Sequence, residues 1–187
     1  MAKTILTYLI VVQLLSGTNI YSQGWEQIYD FEDFNFGIGI YNSQTGGFAL
    51  FSHSLNYDSP EQFIQVDADG KILKNVEYNK LLNTFYIAFR ATCSLNSGDF
   101  IVAGELQHEI LDPVNAFLMK IDPSGQVVWL HEFLGEKSYS VKAVSEVSNG
   151  DLILTGFIST SGQKDSLLLL KTDSVGVYQW EKHFGDI

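Results

Sequence analysis

The chain repeats itself with a period close to 52 residues, which restricts it to an array of small, similar units. Asp122-Pro123-Ser124-Gly125-Gln126-Val127-Val128-Trp129 returns 51 residues later as Asp173-Ser174-Val175-Gly176-Val177-Tyr178-Gln179-Trp180. The same shift carries Lys120 onto Lys171 and Phe133 onto Phe184. An earlier copy opens as Asp67-Ala68-Asp69-Gly70, 55 residues before Asp122. A second element, Gly98-Asp99-Phe100-Ile101-Val102-Ala103-Gly104, returns 52 residues on as Gly150-Asp151-Leu152-Ile153-Leu154-Thr155-Gly156. A weaker copy begins at Gly46-Gly47-Phe48, and Trp25 falls two periods before Trp129. Two independent motifs held to one period are hard to produce by chance. Repeats of this length, built from short strands, belong to propellers or related arrays.

Each unit reads as four strands. The first gives 37–42, 48–53, 62–66 and 71–78; the second 86–95, 100–106, 116–121 and 127–133; the third 140–147, 152–158, 166–172 and 177–184. These segments are rich in Val, Ile, Leu, Phe and Tyr, and turn residues separate them. Gly46-Gly47, Ser97-Gly98 and Asn149-Gly150 precede the second strands, where a tight hairpin needs positive φ. Asp67-x-x-Gly70 and its two copies serve the turn between strands three and four. Pro60, Pro113 and Pro123 fall at loops or turns. Leu152-Ile153-Leu154 and Leu167-Leu168-Leu169-Leu170 are apolar without alternation, as expected of strands buried on both faces between stacked sheets. The fourth strand alternates more and should lie outermost. The expected fold is all-β, a partial β-propeller of three four-stranded antiparallel blades at about 36–85, 86–138 and 139–187. A β-sandwich of about twelve strands is the alternative.

Lys3, the apolar run from Ile5 to Leu15 and the small residue Ser22 resemble a secretory leader over residues 1–22, too short for a spanning helix of about 20 apolar residues. That leaves 23–187 as the repeat domain, secreted or at the cell surface of a bacterium. An N-terminal anchor or a buried strand is the other reading of the leader. The formal net charge of −11 disfavours nucleic acid and anionic membrane surfaces as partners. Cys93 is the single cysteine, so no disulfide forms within the chain. It reads as a small buried strand residue, with a reactive thiol the minor alternative.

The spacing Asp-x-x-Gly-x-x-x-Trp, carried by Asp122, Gly125 and Trp129 and by Asp173, Gly176 and Trp180, resembles the tryptophan-docking repeat of quinoprotein-like propellers. With its Lys-x-Asp-x-x-Gly-x-x-x-Trp and Gly-Asp units, the chain from residue 25 to 187 is also similar to secreted propeller-like repeat proteins of Bacteroidetes. The resemblance implies that each Trp packs between adjacent blades, where a large flat ring buries much apolar area. The copy at Asp67 and Gly70 ends in Lys74, so the first blade lacks that ring. The resemblance to quinoprotein dehydrogenases does not bring a cofactor with it. Those enzymes need a larger closed ring, a calcium-binding set and often a disulfide between adjacent cysteines. Three blades fall short of the four to eight that close a ring.

Few residues suggest chemistry. His53, His108, His131 and His183 are scattered over different repeats, and the spacings of zinc proteases, serine hydrolases and phosphate-binding loops are missing. His131 beside Glu132 reads as part of a solvated edge strand. Asp67 and Asp69 read as a turn rather than a calcium loop. Asp30, Glu32 and Asp33 read as a solvated face. Glu105, Glu109 and Asp112 lie on or near the loop after Leu106, which varies between repeats and is the expected place for a binding function. The expected role is a non-catalytic extracellular binding or structural repeat module, taking protein or glycan and using no cofactor. The alternative is part of a quinoprotein-like or glycan-active enzyme completed by further blades. The chain is also expected to be a fragment of a longer propeller, or an open arc that associates through its ends.

Overall fold

A computed structural model describes residues 28–29, 35–44, 46–56, 59–82, 84–109, 114–133, 138–159 and 165–185. The leader, Trp25, the cluster Asp30, Glu32 and Asp33, and Asp112 lie outside the described residues. Three four-stranded antiparallel sheets make up the fold, each in simple up-and-down order. The first blade contains β1 (Asn35–Asn42), β2 (Phe48–Ser54), β3 (Gln62–Val66) and β4 (Ile72–Glu77). The second contains β5 (Tyr86–Ser94), β6 (Phe100–Gln107), β7 (Asn115–Ile121) and β8 (Val127–Phe133). The third contains β9 (Ser138–Glu146), β10 (Leu152–Ser159), β11 (Ser166–Thr172) and β12 (Tyr178–Phe184). A five-residue helix, α1 (Tyr78–Leu82), joins the first blade to the second and was not foreseen. The sheets stack through their first strands, with β1 against β5 and β5 against β9, so the fourth strands lie outermost. Pairing inside each repeat, with stacking between repeats, is the arrangement of a partial propeller and not of a sandwich.

Local chemistry explains the turns. Asp67, Asp122 and Asp173 each use Oδ1 to accept the backbone N–H groups two and four residues on. The glycine that completes each turn takes positive φ: 80° at Gly70, 81° at Gly125 and 84° at Gly176. That is the geometry of a type I turn closed by a glycine bulge. A second device ties the two repeated motifs together. Lys120 Nζ meets Asp99 at 2.8 Å and Lys171 Nζ meets Asp151 at 2.6 Å, each clasping strands two and three of one blade. The first blade has Gln65 donating to Ser43 instead.

Bulges repeat as faithfully as the turns. The pairing of the first two strands skips Ile38, Arg90 and Lys142, successive positions one period apart. The pairing of the last two skips Leu73, Val128 and Gln179. A bulge inserts one residue and re-aims its side chain. Blade stacking buries two cores. Phe51, Phe63, Tyr78, Phe89, Phe100 and Phe117 dominate the first boundary, with ring centroids 5.2–6.2 Å apart in edge or tilted geometry. Smaller side chains fill the second, where Ala91, Ala103, Ala116 and Leu118 meet Val141, Leu152, Leu154 and Leu168. Strand β6 contributes to both, which is why it carries no alternation.

Candidate functional site

The Asp-x-x-Gly turns reach across the blade boundaries. Gly176 packs against Trp129 so closely that a Cβ there would lie 2.7 Å from the indole ring. His131, beside Trp129 with ring centroids 5.1 Å apart, uses Nε2 to donate to the Val175 carbonyl at 3.0 Å. His131 is therefore engaged at the boundary and is not simply a solvated edge residue. At the first boundary Gly125 packs on Phe63 and Val76, with Phe63 Cδ1 2.6 Å from a virtual Cβ. The first blade does have a docking ring, supplied by Tyr78 at the head of α1 rather than by position 74. Tyr78 is 0% exposed and its hydroxyl donates to the Gly125 carbonyl at 2.8 Å. The Tyr29 hydroxyl makes the same bond to the Gly70 carbonyl. Asp122 closes the tie electrostatically. Burial opposes its ionisation, but the N–H groups of Gln126 and Ser124 and the charge of Lys74 outweigh this and hold its carboxyl low.

A polar chain crosses all three blades and was not anticipated. Glu61 is 1% exposed and accepts from Ser54 N at 3.2 Å and Phe89 N at 3.0 Å. His53 Nδ1 lies 2.7 Å from the Glu61 carboxylate, and Arg90 Nη1 lies 2.9 Å from His53 Nε2. A guanidinium can only donate, so Nε2 accepts and Nδ1–H donates to Glu61. Arg90 also donates from Nε and Nη2 to Glu105 at 3.2 and 3.1 Å, and from Nη2 to the Tyr86 hydroxyl at 3.1 Å. Ser140 Oγ, from the third blade, donates to Glu105 at 2.6 Å. Burial raises the Glu61 carboxyl above the ordinary range, although His53 and the two backbone donors work against it. Every group in the chain has a protein partner, so its evident work is to fasten blade to blade.

Glu105 therefore lies in β6 inside this network, not in a free loop, while Glu109 is exposed beyond the strand. The surface histidines are also paired, His108 with Glu132 and His183 with Glu181, each at 2.9 Å. Cys93 is half-buried in β5, and burial pushes its thiol up to about 11. Among the described residues, no group of three His, Cys, Asp or Glu side chains is placed to hold a metal, and no helix is long and apolar enough to cross a membrane.

The outward face of the third blade exposes several large apolar side chains. Cross-strand register places Phe157, Leu167 and Phe184 in one row, Thr155, Leu169 and Lys182 in the next, and Ile153, Lys171 and Trp180 in a third. Trp180 is 36% exposed, Phe184 49% and Leu167 54%. Ala116, which holds the Leu167 position in the second blade, is 1% exposed. On the far side of the first blade Ile64 and Val66 are buried, whereas Ile40 and Ile72 in the same cross-strand rows are exposed. A hollow of about 440 Å³ opens in the third blade's face, lined by Lys142, Thr155, Phe157, Asp165 and Leu167 among others. Lys142 Nζ stands 5.2 Å from the Phe157 ring centroid and Lys182 Nζ 5.6 Å from that of Trp180.

The chain matches no family of known proteins, and no curated protein is similar to it. Among solved structures it is similar to a protein of unknown function from Bacteroides caccae. The identity is 12% and the TM-score 0.36, over 80% of this chain and 67% of that one. The assignment as an all-β, propeller-like arrangement of three blades rests on the sheets themselves.

Proposed function

We propose that this chain is a non-catalytic, exported interaction module, a rigid arc of three blades that engages a protein or glycan partner. The open face of the third blade carries the reading. It sets three large apolar side chains, Leu167, Trp180 and Phe184, in exposed positions on one regular sheet. Contiguous apolar surface of this kind marks interaction sites on folded proteins. The charged groups at the blade boundaries support the same view, because they are engaged with one another rather than gathered around an open cleft. Export is inferred from the N-terminal apolar run.

Site-specific photocrosslinking tests the proposal. A photoreactive residue at position 167 should capture a partner in the exported protein mixture of the native host, whereas one at exposed position 109 should not. Capture at 109 alone, or at neither position, would refute this use of the face. A large rise in melting temperature on adding pyrroloquinoline quinone with calcium would instead favour an enzyme.

A further inference from the structure

The open face keeps, at equivalent positions, several residues of the face on which the third blade is itself seated, with others replaced. The second blade meets the third through Ile101, Leu118 and Trp129, which recur one period later as Ile153, Leu169 and Trp180. The bulge residue recurs too, with Lys142 in the place of Arg90. Where the second blade has Arg90 paired with Glu105, the third has Lys142 over Phe157. At the boundaries that are filled, the second-strand position facing the bulge meets the first strand of the following blade. His53 meets Arg90, and Glu105 meets Ser140. The hollow lined by Lys142, Phe157 and Leu167 occupies that place on the third blade.

Charge narrows the choice of occupant. Lys142 and Lys182 lie on this face, with Asp165 lining the hollow and Lys171 already paired with Asp151, so the face is only slightly cationic in a chain whose net charge is −11. Two copies stacked face to face would set these lysines against one another. A copy arriving by its first blade would present a side on which Ile64 and Val66 are buried while Ile40 and Ile72 are exposed. At the boundary between the first and second blades Lys74, which holds the place of Trp180, contributes a favourable charge at the Asp122 of the arriving turn.

We propose that the open face of the third blade is a seat for a further four-stranded blade. Its acidic Asp-x-x-Gly turn closes on Trp180 and Lys182, and the side chains of its first strand fill the hollow above Phe157. The proposal rests on the reading of this face as the interaction surface and names the occupant.

The test extends the full chain at its C-terminus with one more blade, in two versions. One carries a second copy of residues 138–187 and the other a second copy of residues 86–137. Both carry Leu167→Cys in the original third blade, and the label is a maleimide. A seated blade should slow labelling at position 167 by roughly tenfold or more relative to the unextended Leu167→Cys chain. Glu109→Cys in the same backgrounds should label at an unchanged rate. Circular dichroism should show the strand content of a fourth sheet. Labelling at full speed in both extended chains, or added copies that remain unfolded, would overturn the proposal. Protection of position 167 in the unextended chain, tracking a dimer by sedimentation, would overturn it in favour of a second copy. Capture through position 167 of a partner lacking β-blades would defeat this inference and leave the broader functional reading standing.

Discussion

Tyr78 is where a single atom holds two blades together, and removing that atom has a calculable cost. Its hydroxyl donates to the Gly125 carbonyl at 2.8 Å in a site with no solvent access. Tyr78→Phe deletes the donor and leaves the ring, so the cost is about 1–3 kcal/mol, the range for stranding a buried polar group. Tyr78→Ala also removes a ring packed 5.2 Å from that of Phe89, and the cost rises to about 3–5 kcal/mol. Trp129→Ala removes a larger ring that is only half-buried and should cost about 2 kcal/mol. Urea unfolding of the full chain, followed together by far-ultraviolet circular dichroism and fluorescence, measures these values and checks that the transition is two-state. For a chain of this size each kcal/mol lowers Tm by about 2–4 °C. Alkaline pH gives an independent reading. Burial, and then the charge of Asp122, raise the phenol of Tyr78 well above its usual value of 10.0. The stability that follows from this is complete below that usual value and is lost as pH rises toward the raised folded value. Tyr78→Phe should therefore flatten the alkaline loss, without removing it, because burial also raises Tyr41 and Tyr139. A Tyr78→Phe protein within about 0.3 kcal/mol of the parent, well below the expected cost, or a Trp129→Ala protein less stable than Tyr78→Ala, would refute the reasoning.

The other predictions concern the turns, the buried carboxylate and the thiol. Gly125→Ala forces a residue at φ 81° and sets its Cβ against Phe63, whereas Gly46→Ala has the same φ with nothing within 4 Å. Chemical denaturation should show Gly46→Ala costing about 1 kcal/mol and Gly125→Ala distinctly more, about 2–3 kcal/mol. Glu61 has a raised carboxyl, so its linked stability is complete below the ordinary value near 4.5 and is lost as pH rises through the folded value. Glu61→Gln should flatten that acid stretch of the stability curve, measured by urea melts across pH 4–7. Cys93, with its thiol near 11, should react with a thiolate-selective disulfide reagent at pH 8 far more slowly in the folded protein than in urea, and equal rates would contradict its placement.

What the sequence made legible is what the backbone writes locally. An Asp that accepts two N–H groups and a Gly at positive φ are required by the turn itself, so all three copies keep them. The clasp of Lys120 with Asp99 and of Lys171 with Asp151 explains why the two repeated motifs stay in phase. Tyr78 was hidden because α1 adds residues between the first and second blades, lengthening the spacing there from about 52 to 55 and moving the docking ring off the Trp position. The polar chain was hidden for a different reason. One repeat position holds His53, Glu105 and Phe157, and another holds Ile38, Arg90 and Lys142, so identity is not preserved while place is. A signal was present nonetheless. Arg90 is the sole arginine and directly follows Tyr86-Ile87-Ala88-Phe89, a run that reads as core strand. A cation there needs a buried partner, and Glu61 and Glu105 were the acids available on neighbouring strands.

The unlike residues along that chain bear on how repeats avoid being shuffled. Three blades built on one plan can dock in the wrong order, a characteristic hazard for repeat proteins as they fold. Each boundary here has its own lock. If the third blade docked on the first, Lys142 would take the place of Arg90 beside His53, and Glu105 would be left without Ser140. Each hydrogen bond to a charged group lost in this way costs about 1.5–3 kcal/mol, a sizeable share of the stability of an ordinary domain. The wrong order is thereby rejected at the moment of docking, and a sequence that repeats its outline still specifies a single order of assembly.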